Sequence, residues 1–423
     1  MSSAEASDPQ QTTRPDAAQV PAEVPQLGAG GTQFRAHRPV RKHADLLALD
    51  DFERHAKRRV PGMIHQYIAG AVETGASRRR AAEAYGEYRL MPQMFRDVSG
   101  RDLRVDLFDK TWAAPFGIAP LGGAAFVAYR ADIELARAAK QANIPMILSA
   151  SSLIKLEDVQ AANEDAWFQA YLAGDQSRID RMVDRVAAAG FKTLVVTGDT
   201  PVMGNREHNI RSGFNMPIRI TPSVALQCAM SPRWLIGVVG RTLAFHGNPH
   251  FENMDAEQGP PMLSSRQRNT TARDELSWAH VEAIRRRWRG NLVIKGIVSP
   301  KDARRARDCG ADGVILSNHG GRQLDCTVAP LDTLPQIAAE KGQMKVMIDS
   351  GIRRGTDVLK AMSLGADFVF LGRPFLYATV IGGAATVSHA IDLLGNEINR
   401  DMALIGVRNL SELGPEYLVR QGA

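Results

Sequence analysis

Side chains that can move a proton or hold an anion recur in this chain where short apolar runs end. The run Gly313–Asn318 leads into Ser317-Asn318-His319-Gly320-Gly321-Arg322, and Leu292–Gly296 ends at Lys295. Thr193–Asp199 carries Thr197 and Asp199, and Trp167–Leu172 carries Gln169 and Tyr171. Pro115–Pro120 holds Ala119 and runs on into Leu121 and Gly122, while Pro145–Ser149 closes on Ser149. Val346–Asp349 leads into Asp349-Ser350-Gly351, with Arg353 just beyond, and Phe368–Gly372 leads into Gly372-Arg373. Histidine titrates near neutrality, so proton transfer is its natural chemistry. A guanidinium binds carboxylate or phosphate through parallel hydrogen bonds. A bare scaffold has little use for a lysine, a histidine and two aspartates at such places. A histidine met alone is more often a structural residue; here its company points to an active site.

Those eight runs alternate with amphipathic segments such as Asp132–Ala142, Arg178–Ala189, Pro300–Cys309 and Gly355–Leu364. Alternation of strand and helix predicts a parallel sheet, and eight repeats predict an α/β fold closed into a (β/α)8 TIM barrel rather than an open doubly wound sheet. Active sites of such barrels gather at the C-terminal strand ends. Side chains alternate along a strand, so Gln169 shares a face with Tyr171, and Thr197 with Asp199. Ala170 and Gly198 then face the helices.

A helical segment precedes the barrel. Asp50 or Asp51 is expected to cap a helix from Phe52 to Arg59, and Pro61 to open a second one carrying Met63, Ile64, Tyr67 and Ile68. Residues 1–36 are rich in Ala, Pro, Gln, Ser and Thr and read as a disordered tail. The domain is expected over 37–423, with an insertion after the fourth strand at about 208–275. From His208 to Phe251 this insertion has no acidic residue, yet holds Arg211, Arg219, Arg233, Arg241 and the apolar run Trp234–Val239. Such a segment suits either peripheral contact with an anionic membrane or a covering flap.

The whole chain has 423 residues, 44% of them hydrophobic, ample for one large core. A net charge of +6 and a pI near 9.3 form a mild, spread basic bias, which fits small anionic ligands better than nucleic acid. Cys228, Cys309 and Cys326 make no CxxC pair, so neither a disulfide framework nor a metal site is expected. No secretory leader pattern or long apolar span is present, which predicts a cytoplasmic enzyme, at most peripheral on the inner face of the cell membrane.

The run Ser317-Asn318-His319-Gly320-Gly321-Arg322-Gln323-Leu324-Asp325 resembles the signature of the FMN-dependent 2-hydroxy acid dehydrogenase/oxidase family, and the likeness extends from about Leu47 to Leu418. It implies FMN as cofactor and oxidation of an L-2-hydroxy acid to the 2-oxo acid. His319 corresponds to the base, Asp199 to the carboxylate that orients it, and Tyr171 to a phenol beside both. Arg206 and Arg322 correspond to the guanidiniums that clamp the substrate carboxylate, with Tyr67 and Tyr171 as hydrogen-bonding phenols. Toward the cofactor, the likeness assigns Lys295, Ser149, Gln169, Thr197 and Ser317 to the flavin ring and its surroundings. Ala119, Leu121 and Gly122 would meet the ring by their backbone. Asp349 falls to the ribityl chain, and Gly351, Arg353, Gly372 and Arg373 to the phosphate. No metal is implied. Relatives imply a homo-oligomer.

The stretches Ser317–Cys326, Asp349–Gly351, Ser231–Trp234 and Leu413–Leu418 resemble the (S)-mandelate dehydrogenase branch, with the respiratory L-lactate dehydrogenase branch nearly as similar. Two departures bear on specificity. Ser151 stands where several relatives have tryptophan, which implies a roomier pocket and a larger 2-hydroxy acid. Gly122 stands where oxidases often have alanine, which resembles dehydrogenases that pass electrons to a quinone or other carrier instead of oxygen. One rival is a flavin-free, phosphate-binding barrel with Lys295 as a Schiff-base lysine; it gives the His-Gly-Gly-Arg run nothing to do. A non-enzymatic scaffold would have lost catalytic positions, and here each is filled.

Overall fold

The eight apolar runs fold into eight parallel strands in chain order, and from the second to the eighth each is hydrogen-bonded to the next. They are β1 (Phe116–Ile118), β2 (Ile147–Ser149), β3 (Trp167–Ala170), β4 (Thr193–Thr197), β5 (Asn291–Ile297), β6 (Gly313–Leu316), β7 (Lys345–Ile348) and β8 (Phe368–Leu371). These come from a computed structural model that describes residues 45–214, 218–262, 264 and 272–421. The expected tail lies outside the described residues. β8 pairs with β1 through Val369↔Phe116 to Leu371↔Ile118, and the bridge Ile118↔Met146 joins β1 to the segment entering β2. The sheet therefore closes on itself, as eight repeats predict.

Alternation sorts the strand residues into two cores. Ile147, Trp167, Val195, Val293, Ile315, Met347, Phe368 and Phe370 fill the barrel interior. Phe168, Ala170, Leu194, Val196, Ile294, Val314, Ile348 and Val369 pack outward under the helices, so Ala170 lies on the helix side as its parity requires. An antiparallel ribbon of Val105–Leu107 and Lys110–Trp112 fills the N-terminal end of the interior with Leu107 and Trp112. Phe108, at its turn with φ +56°, meets Trp167 at 5.5 Å between centroids.

Helices Leu49–Lys57, Gly62–Ala69 and Ala76–Gly86 precede the barrel. The first starts earlier than its sequence signals predict. Ala48 occupies the cap position, and Asp51 reaches back from inside the first turn to accept from the backbone N–H of Leu47 (2.8 Å) and Ala48 (2.9 Å).

The chain between β4 and β5 forms an accessory layer over the mouth. It contains helices Glu207–Ser212 and Pro222–Ala229, then a continuous helical run from Pro232 to His246 with a π-helical turn at Leu235–Gly240. Buried Trp234 ties this run to the barrel. Its Nε1 donates to the Phe126 carbonyl at 3.1 Å, and its ring meets Phe126 edge-on at 5.4 Å.

Candidate active site

A cavity of about 650 Å³ opens at the C-terminal ends of the strands, within the range of small-molecule sites. His319 stands at its centre, in the loop after β6. The backbone there takes φ +56°, and the residue N–H donates to Ser317 Oγ at 3.0 Å. A side chain in the left-handed region carries strain that its surroundings must offset. Here the strain turns the imidazole toward Asp199 in the loop after β4: Nδ1 lies 2.9 Å from the carboxylate and Nε2 lies 3.4 Å from Tyr171 Oη. Burial works to raise the Asp199 carboxyl. The charge and hydrogen bond of His319, with Lys295 behind, outweigh it and hold Asp199 below the ordinary carboxylate range. The second Asp199 oxygen is buried without a partner among the described residues.

Lys295 does not end its strand, contrary to the sequence-based expectation. β5 continues to Ile297, and a bulge between Lys295 and Ile297 shifts the register. Gly296 makes this possible. Its φ is +97°, and a Cβ there would lie 2.6 Å from the Asp199 side chain. The bulge keeps Lys295 pointing into the barrel mouth, where Nζ donates to Ser317 Oγ (2.7 Å) and pairs with Asp349 (2.9 Å). Burial opposes its charge, but Asp349 and Asp199 raise its pKa above the usual lysine value.

Two half-buried guanidiniums have no carboxylate in ion-pair range among the described residues. Arg322 donates Nη1 to the carbonyls of Tyr67 (2.7 Å) and Gly70 (3.3 Å), and its guanidinium lies over the Tyr67 ring at 5.1 Å. Burial, then repulsion from Arg206, pushes it down to about 10. Arg373 opens the ten-residue helix after β8 and donates to the carbonyls of Ile68, Gly70 and Gly320, each at 2.9 Å. Burial and the neighbouring charges of Arg322, Arg78 and Arg353 push it down to about 9. Cations held without counter-ions favour an anionic occupant. Arg206 completes the group, donating to the Arg322 carbonyl (3.1 Å) and to Gln323 (2.9 Å).

Neutral groups complete the lining. Tyr67 donates to the Gly122 carbonyl at 2.7 Å and stacks on Phe214 at 4.4 Å. Gln169 donates to Thr197 at 2.8 Å, leaving its own carbonyl oxygen buried and unpartnered among the described residues. Such an orphaned acceptor at a cavity wall calls for a donor from an occupant.

Most residues singled out in the sequence converge on this cavity. Tyr67, Ala119, Leu121, Gly122, Gln169, Tyr171, Thr197, Arg206, Lys295, His319, Arg322, Asp349, Gly351, Arg353, Gly372 and Arg373 line it. Asp199, Ser149 and Ser317 stand behind the lining. Asp199 backs His319, Ser317 joins Lys295 to the His319 backbone, and Ser149 accepts from the Ser151 N–H at 3.2 Å. Gly351 has a packing reason as well, since a Cβ there would stand 2.1 Å from the Ala81 carbonyl. Among the described residues no cluster of His, Cys, Asp and Glu could hold a metal ion.

Three contributors were not singled out. Gly296 looks like any strand glycine. Asp325 closes the His319 loop onto the N-terminal helices by accepting from Thr74 N (2.9 Å), Thr74 Oγ1 (2.6 Å) and Ser77 N (2.9 Å); its place in the Ser317–Asp325 run was its signal. Arg273 lines the cavity from the end of the accessory layer, where no periodicity marks it.

Residues 56–420 match the family model described as FMN-dependent dehydrogenase. The chain is 35% identical over 384 residues to an (S)-mandelate dehydrogenase of Pseudomonas putida, covering 89% of this chain and 95% of that one. It is 37% identical over 379 residues to an L-lactate dehydrogenase of Alcaligenes faecalis, covering 88% and 98% respectively. A crystal structure described as the monotopic membrane protein (S)-mandelate dehydrogenase superposes with a TM-score of 0.83 at 35% identity, covering 89% of this chain and all of that one.

Proposed function

The chain belongs to the FMN-dependent dehydrogenase family, and on that premise we propose how its rim works. It is an FMN-dependent oxidoreductase that converts an L-2-hydroxy acid to the 2-oxo acid. FMN, when bound, supplies the two-electron acceptor for the substrate. The residues present fit that group. Half-buried, carboxylate-free Arg373, with Arg353 and the backbone at Gly351 and Gly372, would hold its phosphate. Asp349 would hold the ribityl hydroxyls. Gln169, with its orphaned oxygen, Thr197 and Lys295 would hold the polar edge of the ring, bordered by Ala119, Leu121 and Gly122.

The chain's own residues do the rest. Arg322 and Arg206 receive the substrate carboxylate, and Tyr67 and Tyr171 hydrogen-bond its carboxylate and hydroxyl. His319 takes one proton on Nε2 as the α carbon is oxidised. Its Nδ1–H donates throughout to Asp199, whose charge stabilises the imidazolium that forms. Lys295 contributes fixed positive charge at the site where negative charge accumulates. The observation that carries this reading is the His319–Asp199 contact facing two guanidiniums free of carboxylates inside one cavity.

The substrate is a larger 2-hydroxy acid, supported by Ser151 lining the cavity wall. Electrons leave to a quinone or similar carrier. In support, Gly122 keeps the wall open where a Cβ would stand 3.1 Å from that of Ser151. The protein docks on a membrane surface through its accessory layer. Ile236 and Phe245 are each 70% exposed there beside Arg233 and Arg241, and no described helix is long and apolar enough to cross a membrane.

The decisive experiment is anaerobic flavin reduction by glycolate, lactate and (S)-mandelate, followed by reoxidation with quinone or oxygen. Bleaching by a 2-hydroxy acid and faster reoxidation by quinone are expected. Colourless protein that does not take up FMN would overturn the reading of the site, and strict preference for glycolate would overturn the larger substrate. Faster reoxidation by oxygen would overturn the acceptor. Co-flotation with anionic vesicles, lost in Ile236→Glu/Phe245→Glu, tests the docking surface.

A further inference from the structure

Among the described residues lining the cavity, Arg273 is the cation that the chemistry above leaves unused. It sits in the turn that ends the accessory layer. Ala272 there takes φ +64°, and its carbonyl accepts from the Gly174 N–H at 2.5 Å, which ties the turn to the loop after β3. The Arg273 guanidinium lies over the Tyr171 ring at 4.9 Å. Its hydrogen-bond partner among the described residues is the Met254 sulfur, at 4.0 Å. That same sulfur accepts from Ser151 Oγ at 3.5 Å. Met254 thus bridges Ser151 in the cavity wall and the Arg273 guanidinium.

No carboxylate of the described residues neutralises this guanidinium. Asp255, whose charge reaches it, is engaged by Arg178 through two hydrogen bonds of 3.0 and 2.6 Å, and Arg178 itself repels Arg273. Burial acts first to push the Arg273 guanidinium below the usual arginine range, with Tyr171 and Asp255 working against that push. An arginine held against an aromatic face and a thioether keeps most of its planar array of donors for an acceptor from outside.

We infer that Arg273 receives a second carboxylate on the substrate, at the end remote from the one held by Arg322 and Arg206. The preferred substrate class is then a 2-hydroxy dicarboxylic acid. This rests on the reading of the site given under Proposed function. Arg322 and Arg206 set the α carbon against His319, and the side chain extends past the Tyr171 ring toward Ser151, Met254 and Arg273. Arg273 touches no reacting atom and acts on specificity.

The test pairs (S)-malate, (S)-2-hydroxyglutarate and (S)-2-hydroxyadipate with their ω-amides, which keep size and remove charge. The readout is the second-order rate constant for anaerobic flavin reduction by the holoenzyme. At least one dicarboxylate should exceed its amide tenfold or more. For that pair Arg273→Gln should bring the ratio within twofold of unity, while Arg273→Lys should retain part of it. If every dicarboxylate reacts no faster than its amide in the unmodified enzyme, the inference is wrong; that result does not depend on how a variant folds. It is equally wrong if Arg273→Gln keeps the preference. If no acid of either kind reduces the flavin, and neither lactate nor mandelate does, the reading of the whole site fails and takes this inference with it.

Discussion

Nδ1 of His319 lies 2.9 Å from Asp199, a residue 120 positions earlier in the chain. The contact joins loops after β4 and β6, and it fixes which imidazole nitrogen faces the cavity. Asp199→Asn should keep flavin content and lower flavin reduction by on the order of 10²- to 10⁴-fold, because an amide can no longer hold the tautomer or stabilise the cation. His319→Ala should also retain flavin and lose turnover. Stopped-flow absorbance at the flavin band reads both, and an active His319→Ala protein would remove the assigned base.

Arg373→Ala should act on cofactor retention. The guanidinium is held among carbonyls and other cations, so an anion is what it lacks. We expect FMN affinity to fall at least ~10-fold, the loss of about 1.4 kcal/mol or more that a charge-assisted hydrogen bond represents. Fluorescence titration of the apoprotein measures this. Unchanged affinity would place the phosphate elsewhere.

Gly296→Ala should damage the site without touching a reacting group. Its φ of +97° and the 2.6 Å approach to Asp199 mean that a methyl must displace either the bulge or the carboxylate. Strain of about 1–3 kcal/mol is expected, together with slower flavin reduction. Normal turnover with a lower unfolding midpoint would show that the strain is relieved away from Asp199.

Asp325 gives a pH signature. Burial would raise its carboxyl, but hydrogen bonds from Ser77, Thr74 and the Cys326 backbone hold it down at about 2. A carboxyl depressed in the folded state stabilises fully above its unfolded value and loses that contribution as pH falls through the folded value. The stability gap between the unmodified protein and Asp325→Asn should therefore be flat above pH 5 and close between about pH 4 and 2. Urea midpoints across that range check it, and a gap that widens toward acid would contradict the assignment.

Much of this architecture is legible in the sequence because period-two burial and strand–helix alternation are local signals. Trp167, Val195, Val293 and Phe370 could be placed inside, and Ala170 outside, from parity alone. The His319 loop was legible because its chemistry lies in consecutive residues. Three things were not. Lys295 was read as a strand end because the bulge at Gly296 depends on packing against Asp199, remote in sequence. The neighbours of Ser149 and Ser317 depend on rotamer and distance: Ser149 Oγ accepts from the Ser151 N–H, and Ser317 Oγ accepts from Lys295 and the His319 N–H. Arg273 lies in a turn without hydrophobic periodicity, so only three-dimensional proximity to Tyr171 and Met254 reveals it.

Among the described residues, the ribbon at Val105–Trp112 plugs one end of the barrel, so the rim over the strand C-termini is its doorway. Leu107 and Trp112 stopper the far end, so an electron donor and an electron acceptor that both approach through the barrel mouth meet the site at one rim. Where the two take turns at that rim, steady-state velocities measured with both co-reactants varied should trace parallel double-reciprocal lines. Lines that intersect would mean that both fit through the doorway together.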